Sequence, residues 1–190
     1  EKELNYHHDE DERRYVIGFQ TDSYLNSDQK NSLRLVINHE DKGLLRIATP
    51  FLYEFDFEKV SYGQIASVIA WYQFEYKFLS MSLDPSDGEL KISIDIPLGE
   101  GTLHSSQIHR VVSFILGFVD ETYPELFELL LNDSNKAEGK LNQIINEYRK
   151  KVANSQWVAS LGDKISNITD EQKKEIEVIL GVAADQQNGI

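Results

Sequence analysis

The chain has 190 residues, 41% of them hydrophobic, and a net charge of −13; this supplies one well-filled core with an appendage and falls short of two ordinary domains. Its bases form no stripe of the kind phosphate binding needs, so no nucleic-acid partner is expected. No apolar run reaches the ~18 residues of a membrane span, and the absence of cysteine excludes disulfides, thiolate zinc sites and thiol catalysis.

Charge is unevenly spread. Residues 1–12 hold six acids against one base, 13–50 four against six, 51–131 thirteen against four, and 132–190 nine against eight. The central stretch therefore carries most of the negative field, which reads either as a solvated surface or as one tuned to a basic partner. The charged opening residues do not resemble a secretory signal, and the expected location is cytoplasmic with no membrane partner.

In chain order, Glu1 to Glu12 has too few apolar residues to pack and reads as a frayed tail, or the end of a helix, over residues 1–13. His7-His8 lacks a third donor at metal-site spacing. Tyr15, Ile17 and Phe19, then Leu33, Leu35 and Ile37, then Leu45 and Ile47 alternate as three strands, the last ending before Pro50. Phe51, Tyr53, Phe55 and Phe57 then fall on one side, with Glu54, Asp56 and Glu58 on the other, as an extended entry that lays its aromatic side on the sheet. Val60, Ile65, Val68, Ile69 and Tyr72 suit a helix, whose first turn contains Gly63.

Leu79, Met81 and Leu83, then Leu90, Ile92, Ile94 and Ile96, form a hairpin about Pro85-Ser86-Asp87-Gly88 with one buried face. Ser105 or Ser106 caps a helix whose stripe runs through Ile108, Val111, Val112, Ile115, Phe118 and Val119 and on to Leu126, Phe127 and Leu130. Within it Tyr123-Pro124 marks a kink or the start of a second helix. The predicted fold is α+β, an antiparallel five-stranded sheet in the order β-β-β-α-β-β-α over residues 14–131. A linker at 132–136 opens a C-terminal helical extension, 132–190, with a helix from about Lys140, a capping box at Thr169-Asp170-Glu171-Gln172, and a fraying end at 185–190.

No catalytic constellation is found. The chain has no nucleophile elbow, P-loop, zincin or dinucleotide fingerprint, and His104 and His109 are five apart, off the i, i+4 spacing that would align them. Glu121, Glu125 and Glu128, with Asp120, form a carboxylate cluster that reads as the wet side of an amphipathic helix; converging in a pocket, it would instead serve a small-molecule sensor or hydrolase. No catalytic residue, metal or cofactor is predicted.

The run Phe78-Leu79-Ser80-Met81-Ser82-Leu83-Asp84, with Asp87-Gly88-Glu89-Leu90, Ile96-Pro97-Leu98, Gly101-Thr102-Leu103, Gln107 and Tyr123-Pro124-Glu125-Leu126, resembles the bacterial YbjN family. That resemblance covers roughly residues 14–131. It implies a fold similar to type III secretion chaperones, subunits that pair as a homodimer, no enzymatic activity and a regulatory role. The function expected from the whole is a non-enzymatic protein-binding module, with Tyr53, Phe55, Trp71 and Tyr72 as anchors and Glu121 and Glu125 beside them.

Overall fold

The computed structural model describes residues 6–40, 43–99, 101–165 and 169–179, in two compact units, Glu1–Leu141 and Asn142–Ile190. The first holds an antiparallel sheet of β1 (Tyr6–Asp9), β2 (Arg14–Gln20), β3 (Ser32–Glu40), β4 (Leu44–Glu54), β5 (Ser80–Leu83) and β6 (Glu89–Pro97). The spatial order is β1-β2-β3-β4-β6-β5. Alternation does its work: Leu33, Leu35, Leu45, Ile47, Leu90, Ile92 and Ile94 are buried, while Arg34, Lys91 and Asp95 between them are exposed.

Six strands replace the expected five. Tyr6 to Asp9 is a strand, registered so that Tyr6 faces Ile17 and His8 faces Tyr15. Its sequence signal is weak because Tyr6, His7 and His8 are all exposed; the His8 ring stacks on Tyr15 at 4.4 Å. A two-point contact from Arg14 Nε and Nη2 to Asp9 (3.1 and 3.0 Å) ties the hairpin.

Helices α1 (Tyr62–Glu75) and α2 (Ser105–Thr122) cover one side of the sheet. Ser61 caps α1 reciprocally with Gln64. α2 is capped at His104, one residue before the serines expected there, with Gln107 Oε1 accepting the His104 N–H at 2.9 Å. At Tyr123-Pro124 no second helix restarts after a break. Instead α2 passes through a π-helical turn, Tyr123–Phe127, into α3 (Glu128–Asn132), because proline cannot donate the usual bond and Glu128 N–H reaches back five residues to Tyr123 O. The core joins these layers: Tyr72 meets Phe118 edge-on (5.7 Å) and Phe127 face-on (5.3 Å), and Tyr53 of β4 stacks on Phe127 at 4.5 Å.

The expected linker at 132–136 is a one-residue break at Asp133, after which α4 (Ser134–Ile165) begins, earlier than Lys140. Ala137 and Leu141 on its first turns are buried, so they belong to the first unit. The second unit carries the rest of α4, with Trp157 exposed, and α5 (Asp170–Ile179), whose capping box is present: Gln172 N–H donates to Thr169 Oγ1 (3.4 Å) and Thr169 N–H to Gln172 Oε1 (3.0 Å). The fraying expected at 185–190 falls outside the described residues.

Pro50 does not end β4. The strand runs to Glu54 across a register shift between Thr49 and Tyr53, where three residues oppose the single Lys91. Pro50 lies past Ala48, the last residue paired with β3, so its missing N–H breaks no ladder bond there. The bulge also ends the expected aromatic row. Tyr53 and Phe55 are buried, Phe57 lies beside Tyr62, and Phe51 is turned out to solvent.

Beyond the bulge the chain is locked by Gly88, at φ +80°, whose carbonyl accepts the Phe55 N–H at 3.0 Å. A Cβ there would stand 2.1 Å from Phe55 O. Gly88→Ala is expected to destabilise the fold by about 3 kcal/mol or more, since strain and backbone clash act together; an unchanged denaturation midpoint would show that Phe55 can give way. Conversely, the Tyr53 hydroxyl is buried with no partner at hydrogen-bonding geometry among the described residues, although it lies near Thr122, whose own hydroxyl donates to Phe118 O (2.8 Å). Burial, with Tyr24 and Tyr123 adding to it, raises this phenol well above its ordinary range. Tyr53→Phe should leave stability unchanged or raise it by about 1 kcal/mol, measured by the same denaturation.

Candidate docking surfaces

The residues expected to anchor a partner divide sharply. Tyr53 and Phe55 are each 3% exposed and Tyr72 is 1% exposed, so these three are core, and the partner-binding expectation for them is corrected: large rings next to a bulged strand satisfy the sheet and helices first. Trp71 is half-buried on α1, its ring 6.1 Å from that of Phe74.

The glutamates answer to tyrosines. The Tyr72 hydroxyl donates to Glu125 Oε2 and the Tyr76 hydroxyl to Glu121 Oε2, both at 2.9 Å. Burial first, then these carboxylates, raise the two phenols above their ordinary range. Glu121 of α2 thus holds Tyr76, the residue after α1, and Glu125 of the π-helical turn holds Tyr72 of α1, and neither lines the clefts described below. Asp120 is equally structural. It is not part of a wet carboxylate row but accepts the backbone N–H groups of Asp22, Ser23 and Tyr24 at 3.1, 2.8 and 3.0 Å, fixing the loop after β2.

Three surfaces remain. The side of the sheet away from the helices forms a polar cleft of about 450 Å³. There Arg46 is held by Asp95 (2.8 and 2.9 Å) and by Glu40 (2.8 Å), so its charge is spent within the sheet. A second cleft lies beside Phe51.

The third surface is the free edge of the sheet at β5. Asp84 N–H donates to Glu89 O (2.8 Å), and Ile92 N–H turns toward β4, reaching Thr49 Oγ1 at 3.2 Å. Since hydrogen-bonding direction alternates along an antiparallel pair, Ser80 and Ser82 bond to β6 while Met81 and Leu83 point their N–H and C=O groups outward. The outward groups of Leu79 just upstream are covered, its N–H by Tyr76 O (3.4 Å) and its C=O by Gln73 Nε2 (3.1 Å). Among the described residues nothing covers those of Met81 and Leu83. β5 is short, but it has no lysine, proline or bulge, the features that usually blunt an edge. Two residues before β5, Phe78 is 60% exposed, its ring 6.0 Å from that of Phe114.

No family model, curated protein or solved structure matches the chain in comparison. Among the described residues no group of three or more histidine, aspartate or glutamate side chains is placed to hold a metal ion, and no helix is long and apolar enough to cross a membrane.

Asp120 gives a pH test. Burial pushes its carboxyl up, but the three backbone donors outweigh this and hold it below its ordinary 3.8. A depressed folded value means the contribution is complete above the unfolded value and disappears as pH falls through the folded one. Asp120→Asn should therefore cost most at about pH 7 and progressively less below about pH 4, measured as the gap between urea midpoints of the two proteins. A gap that stays constant to low pH would show that the carboxylate charge is not what holds the loop.

Proposed function

We propose that the chain is a non-enzymatic protein-binding module of the YbjN type, chaperone-like or regulatory and cytoplasmic, that takes an extended segment of another polypeptide along β5. The observation that carries this reading is the outward pair of main-chain groups at Met81 and Leu83, on a strand without lysine, proline or bulge and just after the exposed Phe78. Strand addition obtains affinity from such groups and selectivity from side-chain pockets beside them. The expected segment is short and apolar, because β5 offers four residues, Ser80-Met81-Ser82-Leu83, none of them charged. The sensor or hydrolase alternative has less support, since its carboxylates, Glu121 and Glu125, are occupied by tyrosine hydroxyls.

In the free protein, the Met81 and Leu83 amides should exchange with deuterium much faster than those of Ser80 and Ser82. Peptides selected from a random display library should slow the first pair on binding. Met81→Pro removes an outward N–H without touching the bonds to β6, and should weaken those peptides at least about tenfold. Peptides that protect another surface, or that bind a folded Met81→Pro variant equally well, would overturn the reading.

A further inference from the structure

Phe51 is an unusual residue for its position. It sits in the β4 bulge at φ +51°, a left-handed conformation that a bulky side chain rarely adopts. Its N–H is held by Glu89 Oε1 at 2.9 Å, and its ring is 61% exposed. The core gains nothing from this ring. Strain kept where packing does not require it is a feature of ligand-contacting positions.

The ring borders a cleft of about 290 Å³ whose wall includes Tyr123, Glu54, Glu128, Asn26 and Asn132. No lysine or arginine is among the lining residues. The Glu128 carboxylate stands close enough to Tyr123 to add to the rise that burial gives that phenol. The cleft therefore combines the exposed Phe51 side chain with two exposed carboxylates. An anion would be repelled by Glu54 and Glu128, and a neutral apolar group would make use of neither. A guanidinium uses all of it: its plane lies against an aromatic ring, its several N–H donors reach separate acceptors, and it sheds water more readily than an ammonium.

We propose that this cleft receives an arginine side chain of a partner polypeptide, stacked on Phe51 and accepted by Glu54 and Glu128. The net charge of −13 draws a basic segment toward the surface, and the cleft gives it a place to stop. The proposal does not depend on β5, with which the cleft shares no residue.

The test is a titration of the full ¹⁵N-labelled chain with acetyl-Gly-Arg-Gly-amide, followed by amide shifts, alongside the citrulline peptide, which has nearly the same shape and no charge. Arginine should shift the amides of Asn26, Phe51, Glu54 and Asn132, with citrulline at least about tenfold weaker. Phe51→Gly removes the ring while suiting the positive φ, and should abolish the shifts in a folded protein. Glu128→Gln should weaken them several-fold. Met81→Pro should leave the titration as it is in the wild type, which separates this site from the β5 edge. Equal binding of citrulline, arginine-dependent shifts centred on Glu121 and Glu125, or no shifts at these four amides would overturn the proposal.

Discussion

The pairing of β4 with β6 sets the rest of the structure. It joins the two parts of the sheet, with β3 registered on one side of it and the edge strand β5 on the other. Where it is regular, it buries Ile47 against Ile94 and Leu45 against Ile96. Its interruption between Thr49 and Tyr53 is equally consequential, because extra residues in one strand re-aim the side chains that follow. Tyr53 and Phe55 go inward to Phe127, Phe51 goes outward, and Gly88 closes against Phe55 so that the hairpin of β5 and β6 is fixed to the same place. The free edge and the aromatic cleft are therefore set on the two sides of one stretch of β6, Leu90 to Ser93.

Much of this was legible in the residues and some was not. Period-two runs from Tyr15 to Ile47 and from Leu79 to Ile96 identify their strands because each has one wet and one dry face. β1 was hidden, since a polar edge strand with adjacent histidines carries little periodic signal. The row Phe51, Tyr53, Phe55, Phe57 holds for Tyr53 and Phe55, which lie in the core, and fails at Phe51, because alternation assumes an unbroken strand and a bulge intervenes. The same burial removes Tyr53 and Phe55 as partner anchors. Tyr72 was misplaced for another reason: α1 is apolar nearly all round, so the pattern does not say which rings face in. The groups now assigned to docking at Met81 and Leu83 are main-chain atoms, which every residue has, and only the phase of the ladder reveals their direction.

The acids, too, mean something different in the structure. In the sequence they form an anonymous negative field over residues 51–131. In the fold many are acceptors with named donors: Glu89 for Phe51, Asp95 for Arg46, Asp120 for the loop at Asp22, Glu121 and Glu125 for the tyrosines of α1. Negative charge here builds loops and joins helices, and the surplus in the Phe51 cleft stands out because it has no such internal donor.

The division into two compact units has a practical outcome for spectroscopy. One indole, Trp71, lies on α1 in the first unit and the other, Trp157, on α4 in the second. Emission excited at the red edge of the absorption band is therefore a sum over one indole in each unit. Replacing Trp157 with phenylalanine would leave Trp71 of the sheet-bearing unit as the single emitter, and replacing Trp71 would leave Trp157 of the helices beyond Leu141.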